Sequence, residues 1–255
     1  MRHEYAIDKS MIPTVNILGV DIAAVNMTWL IKFTCDYIDT LSGEYVCVDN
    51  VHTVVMSYED EEYRIIQNNS IMCIPDGGPL SVIGRKRGAI SMERTTGPDY
   101  LNEVLNISRQ NGWRHFFYGS NHDTLKKIEA NILEAYPGIQ IVGMISPPYK
   151  NVSVEEDERI CEKINSVSPD FVWVGLGAPK QEKWMFSHQG RIKGLMVGVG
   201  AAFDYYAGNI RRAPIWMQRN NLEWLYRLIQ EPRRLFARYF ITNLKFIWNV
   251  IIKGR

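Results

Sequence analysis

The sequence predicts an α/β fold: an open, mostly parallel, Rossmann-like sheet with helices on both faces. Short β-rich apolar runs recur between residues 45 and 199, helix-like segments with apolar residues three and four apart separate most of them, and polar glycine-rich loops follow the runs. Strand–helix alternation implies parallel strands joined by crossovers and buried on both faces. Ligands of such sheets bind beyond the carboxyl ends of the strands.

Taken in order, the expected strands are residues 45–51, 71–74, 115–118, 139–144, 171–174 and 195–199. Helices are expected over 53–67, 98–109, 122–136, 154–167 and 179–187, the fourth with Ile160, Ile164 and Val167 on one face. The sheet pattern stops near Gly208, where arginine and aromatic residues accumulate. We therefore expect an α/β domain over residues 1–209 and a helical appendage over 210–255, too short for a core of its own. In that appendage Phe236, Phe240, Leu244, Ile247 and Ile251 recur at helical spacing, with Arg234, Arg238 and Lys245 on the other side. This is the pattern of a basic amphipathic helix, which suits docking on its own core, on another subunit or on a membrane. Trp224, Tyr226, Tyr239 and Trp248 favour an anionic membrane surface, where each basic residue contributes about 1 kcal/mol.

At 255 residues, with 46% hydrophobic and 22% charged residues, the chain has the makings of a sizeable core and excludes disordered, collagen-like and disulfide-framework classes. Its net charge of +1 hides an asymmetry: residues 210–255 hold ten Lys/Arg and two Glu, leaving the rest acidic. Cys35, Cys47, Cys73 and Cys161 form no Cys-x-x-Cys pair and read as packing residues of a reducing compartment. The first residues lack the apolar core of a signal peptide, and no apolar stretch approaches the roughly 20 residues of a membrane span. The expectation is a protein neither exported nor membrane-spanning.

The strand-end loops carry the unusual residues: Pro75-Asp76-Gly77-Gly78-Pro79, Gly119-Ser120-Asn121, Gly175 to Glu182, and Gly200 to Asp204. Asp76, between a proline and two glycines, has the setting of an exposed general base, and Arg85, Lys86, Arg87 and Arg94 follow closely. A turn aspartate beside a solvated basic loop gives the same letters. Gly119-Ser120-Asn121 fits either a phosphate-binding helix start or a turn with an N-cap. Lys180 could meet a phosphate and Gln181 a sugar or base, against a reading as helix-start chemistry. The run from Gly198 to Phe203 lacks the third glycine of a dinucleotide fingerprint, and no Gly-Lys pair exists for a Walker A loop. The five histidines show no metal-ligand spacing, so no obligatory metal and no cofactor is expected.

Together, Asn50, the Ile74–Pro79 motif, Glu93-Arg-Thr-Thr-Gly-Pro-Asp99, Phe117-Tyr-Gly119, the Val174–Glu182 segment, Val199-Gly-Ala-Ala-Phe-Asp204, Arg212-Ala-Pro214 and the 222–233 block resemble the WecG/TagA/CpsF glycosyltransferase family. The resemblance spans roughly residues 14–240. It implies inverting, metal-independent transfer of a sugar, N-acetylmannosamine or a related hexose, from a UDP-sugar to a polyprenyl-diphosphate-linked sugar, in the synthesis of teichoic acid or another surface polysaccharide. It also implies a cytoplasmic enzyme held peripherally on the inner face of the membrane. Carried over residue by residue, Asp76 is the base. Arg94, Lys180 and Gln181 belong to the donor site, with Asn50 and Gly119 lining it, and Arg212, Arg227, Arg233 and Arg234 are candidates for the lipid diphosphate. Some members have Thr where this chain has Val48, and Asp49 follows it, which leaves open a different sugar specificity or a second carboxylate. Asp204 is a further alternative to Asp76. The implied partners are the UDP-sugar, the lipid-linked acceptor and an anionic membrane; nothing points to nucleic acid, and self-association stays open. The competing classes are a soluble nucleotide-sugar-modifying enzyme and a non-catalytic membrane-docking scaffold.

Overall fold

Eight strands hydrogen-bond into one sheet: β1 (Thr14–Ile17), β2 (Val20–Ala23), β3 (Tyr45–Asp49), β4 (Met72–Pro75), β5 (Arg114–Gly119), β6 (Gln140–Ile145), β7 (Phe171–Gly175) and β8 (Leu195–Gly198). Their order is β1-β2-β4-β3-β8-β7-β5-β6, and every neighbouring pair is parallel except β1 with β2. The computed structural model describes residues 7–148 and 152–252, the Ile251 side chain excepted. The outer ends of the two expected domains, and the Ile251 side chain of the C-terminal stripe, lie outside the described residues.

Around the sheet are α1 (Met27–Tyr37), α2 (Val51–Glu59), α3 (Glu61–Asn69), α4 (Gly78–Lys86), α5 (Gly97–Asn111), α6 (His122–Ala135), α7 (Val154–Ser166), α8 (Lys180–Ser187) and α9 (Ala202–Tyr206). The C-terminal segment forms α10 (Ile215–Arg219), α11 (Glu223–Gln230) and α12 (Pro232–Phe246), which continues as a π-helical turn over Ile247–Ile252. Both sheet faces are covered, which is why the strands read as unbroken apolar runs. Alternation sends Val46 and Val48 into one core layer with Leu101, Val104 and Ile128. Tyr45 and Cys47 enter the other, with Val54, Ile164 and Met185.

All six expected strands are present, each end within two residues. The β1–β2 hairpin was not expected. Its two-residue turn places Leu18 and Gly19 both at positive φ, 53° and 89°, the geometry usually announced by Asn-Gly, and a leucine there gives no such signal. The helix expected over 53–67 is two helices, because the Asp60 side chain accepts the Tyr63 N–H at 3.1 Å and starts α3 afresh. Gly78 and Pro79, expected in a loop, open α4, with Pro in the first turn where its missing N–H costs nothing. Of the four cysteines, Cys47, Cys73 and Cys161 are buried, but Cys35 is exposed: it lies on the outer side of α1 beside the Lys32–Asp36 pair. The packing reading fails for it alone.

Helix α12 lies against α2; it buries Leu235, Thr242 and Phe246, and Phe246 joins the core layer of Tyr45 and Cys47 together with Val250 beyond the helix end. Lys245 pairs with Glu59 of α2 at 2.5 Å. The docked face is one residue out of step with the stripe read from the sequence, a rotation of about 100° on a helix. Phe236, Phe240, Leu244, Ile247 and Trp248 therefore point outward, each between 46% and 62% exposed. Among the described residues no helix is long and apolar enough to cross a membrane.

Candidate active site

Because β2 to β8 run parallel, the carboxyl ends of β3, β4, β5, β7 and β8 share one edge. Asp76 follows β4 on that edge. Its backbone N–H donates to the Asp49 carbonyl at 2.8 Å, and Gly77 N–H donates to the same oxygen at 3.2 Å, so the end of β3 holds the loop in place. The Asp76 side chain keeps about 28% exposure. Burial pushes its carboxyl up to about 6, Arg94 pulls it down, and Glu223 and Asp99 push it further up.

Arg94 approaches Asp76 twice, donating from Nε to its carbonyl at 2.7 Å and standing with Nη2 3.8 Å from its carboxylate. The same Nη2 bonds Glu223 of α11 at 2.6 Å. Glu223 gives its second oxygen to Arg212 Nε at 3.2 Å, and Arg212 forks onto both oxygens of Asp99 at 2.5 and 2.8 Å. Asp76, Arg94, Glu223, Arg212 and Asp99 thus form one chain of alternating charge that ties the C-terminal segment to the strand edge. Asn221 seals the junction: a Cβ on Gly78 would meet its Oδ1 at 2.3 Å.

The other expected residues divide into engaged and available. Lys180 is exposed at the start of α8. Gln181, by contrast, spends its amide on the fold, donating to Glu182 at 2.7 Å and to the Gly198 carbonyl at 3.1 Å and accepting from Gly177 N–H at 3.1 Å. It positions the Gly177 loop. Asn50 caps α2, its oxygen accepting from His52 N–H at 2.9 Å, and Asn121 caps α6, the N-cap alternative for that loop. Gly119, at φ 132°, passes so close to β7 that a Cβ would stand 2.6 Å from the Gly175 backbone. Of the basic residues trailing Asp76, Arg94 is held at it, whereas Arg85 bonds the Met92 carbonyl and Arg87 the Asn16 carbonyl.

Among the arginines read as diphosphate ligands, Arg212 is occupied in the charge chain. Arg227 sits over the Tyr205 ring, pairs with Glu231 through Nη2 at 3.4 Å, has a buried Nε with no partner among the described residues, and pulls the Asp76 carboxyl down. Arg233 is exposed, and Arg234 pairs with Glu231 at 2.5 Å. The two alternative carboxylates are set differently from Asp76. Asp204 lies on α9 and bonds Asn209 at 3.3 Å. Asp49 is fully enclosed, neither oxygen with a close hydrogen-bond partner among the described residues, and burial pushes it up to about 6 against the pull of Thr53 and Cys73. Glu182 is enclosed likewise, at about 7.

The residues missed from the sequence are Glu223 and Tyr205. Glu223 had a signal, since it is one of two acids among ten cations after residue 209. The sequence profile described as "Glycosyl transferase WecG/TagA/CpsF family" matches residues 15–255. The chain belongs to this family. Its reaction class is therefore glycosyl transfer. Among its relatives, a protein of Bacillus subtilis (strain 168) is 32% identical over 215 residues, 82% of each chain. One of Bacillus spizizenii (strain ATCC 23059 / NRRL B-14472 / W23) is 28% identical over 216 residues, 84% of this chain and 81% of that one. One of Staphylococcus aureus (strain MW2) is 24% identical over 231 residues, 89% of each. All three are named N-acetylglucosaminyldiphosphoundecaprenol N-acetyl-beta-D-mannosaminyltransferase.

Proposed function

We propose that this family member transfers N-acetylmannosamine, or a closely related hexose, from a UDP-sugar to an N-acetylglucosaminyl-diphosphate-polyprenol, in the making of teichoic acid or a similar wall polymer. The observation that carries the reading is the Asp76 carboxylate: half-open on the strand edge, raised to about 6, and held beside a guanidinium. A base poised near neutrality is what deprotonation of a sugar hydroxyl needs. As the acceptor oxygen bonds the anomeric carbon, its proton passes to Asp76, the carbon–oxygen bond to UDP breaks, and configuration inverts. The departing diphosphate gains negative charge, and Lys180, exposed at the start of α8, is the cation that meets it. Gly177, with nothing within 4 Å of where a Cβ would stand, leaves backbone room for the donor.

In this reading residues 1–209 bind and activate the donor, while residues 210–255 bring Arg227, Arg233 and Arg234 to the acceptor diphosphate and lay the exposed α12 stripe on the inner face of the membrane. No metal takes part in the reaction as proposed. The test is UDP release in detergent across a panel of UDP-sugars, with and without a synthetic N-acetylglucosaminyl-diphosphate-lipid. Acceptor-dependent release from a single donor is expected. Release that no acceptor stimulates from any donor, by protein that binds UDP, would overturn the acceptor assignment.

A further inference from the structure

At the opposite end of α8 from Lys180, about 12 Å along the chain's helical rise, Asp157 and Cys161 of α7 meet His188, which follows α8. One donor atom from each lies within 4.8 Å of the others. Cys161 and His188 are buried, and Asp157 is a quarter exposed, which leaves an approach from solvent. The sequence gives no metal-ligand spacing because the donors come from two helices. From this cluster we infer a binding site for one borderline-soft divalent ion, Zn²⁺ or Co²⁺, formed by Cys161 Sγ, His188 Nε2 and Asp157 Oδ1 with the fourth position open to water.

Two features besides proximity carry the inference. The first is the setting of the imidazole. His188 Nδ1 lies 2.7 Å from the Trp184 carbonyl, which can only accept, so Nδ1 carries the hydrogen and Nε2 is turned to the cluster, 2.9 Å from Asp157 Oδ1. A backbone carbonyl fixing the far nitrogen is the usual support of a metal-bound histidine. The Trp184 ring, stacked 4.1 Å from His188 and 4.2 Å from Tyr118, holds the imidazole plane as well. The second is the carboxylate: Arg191 takes Oδ2 at 3.0 Å, leaving Oδ1 to the cluster. A thiolate, an imidazole and a carboxylate select zinc-like ions over Mg²⁺ and Ca²⁺, which take oxygen ligands. Tetrahedral ligands 2.0–2.3 Å from zinc stand about 3.3–3.8 Å apart, so the widest pair closes by about 1 Å. Binding expels the thiol proton and the proton held between Nε2 and Oδ1. The ion then cross-links α7 to α8, the helix that presents Lys180.

The experiment uses the full chain, stripped with chelator and titrated with Co²⁺ and Zn²⁺. One equivalent of Co²⁺ is expected to bind with a thiolate-to-cobalt charge-transfer band, and Zn²⁺ should displace it while Mg²⁺ does not. Cys161→Ser and His188→Gln should each weaken binding at least tenfold, and Cys35→Ser should leave it unchanged. A wild-type spectrum with no thiolate band would overturn the inference whether or not the variants fold. So would a band removed by Cys35→Ser and kept by Cys161→Ser.

Discussion

The proposed chemistry turns on three side chains at the strand edge, Asp76, Arg94 and Glu223. Asp76→Asn removes the proposed proton acceptor while keeping shape and backbone bonds, so UDP binding should persist and turnover should fall roughly 100-fold or more, read by UDP release. Because the carboxyl titrates near 6 and must be ionised to act, kcat/KM should rise with pH up to about 6 and level above it. Arg94 pulls that value down and Glu223 pushes it up. Arg94→Gln should therefore move the acidic limb to higher pH and Glu223→Gln to lower pH; shifts in the same direction would show that the charge chain does not act on the base. Asp49 obeys the opposite economy. Its folded value, about 6, lies above the usual 3.9 or so, so its share of stability is present in acid and lost as pH rises through 6. Asp49→Asn should stabilise the fold at pH 8 by on the order of 2 kcal/mol and by nothing near pH 4, measured by denaturant unfolding at both. The sequence marked Asp76 because glycines and proline advertise a loop; that Asp49 is sealed in and Gln181 spent on the fold depends on neighbours distant in sequence, which no local pattern encodes.

At the scale of elements, strand-end glycines differ in what they tolerate. At Gly119 a methyl group would stand 2.6 Å from the β7 backbone with φ at 132°, whereas at Gly177 it would meet nothing, and only the φ of 77° is unfavourable. Gly177→Ala should cost about 1 kcal/mol, the ordinary penalty for a left-handed alanine. Gly119→Ala has to prise β5 from β7 and should cost several times more in thermal or denaturant melts. Equal effects would mean that the β5–β7 contact yields easily. The parallel strands were legible because burial on both faces makes them continuous apolar runs bounded by glycines. The β1–β2 hairpin was not, since Leu18 adopts a backbone conformation its side chain does not announce, and the break at Asp60 was hidden by an apolar pattern that runs through it.

For the molecule as a whole, the outward stripe on α12 makes the membrane reading testable. Its docked edge, Leu235, Thr242 and Phe246, already satisfies the fold, so Phe236, Phe240, Leu244 and Trp248 contribute little to the core and leave exposed an apolar ridge in a segment of net positive charge. Fully burying a phenylalanine contributes about 1.5–3 kcal/mol. Removing Phe236 and Phe240 together, as Phe236→Ser with Phe240→Ser, should therefore lower partitioning onto anionic vesicles at least tenfold. The melting temperature and UDP binding should hold, because neither side chain touches the Asp76–Arg94–Glu223 chain. The cations should show separately, as binding to anionic vesicles that weakens with salt, while the apolar part should not. Unchanged vesicle binding in the double variant would move the membrane contact away from α12. A loss of binding accompanied by dissociation of a wild-type oligomer would instead assign the ridge to a second copy of the chain, the remaining surface able to cover it.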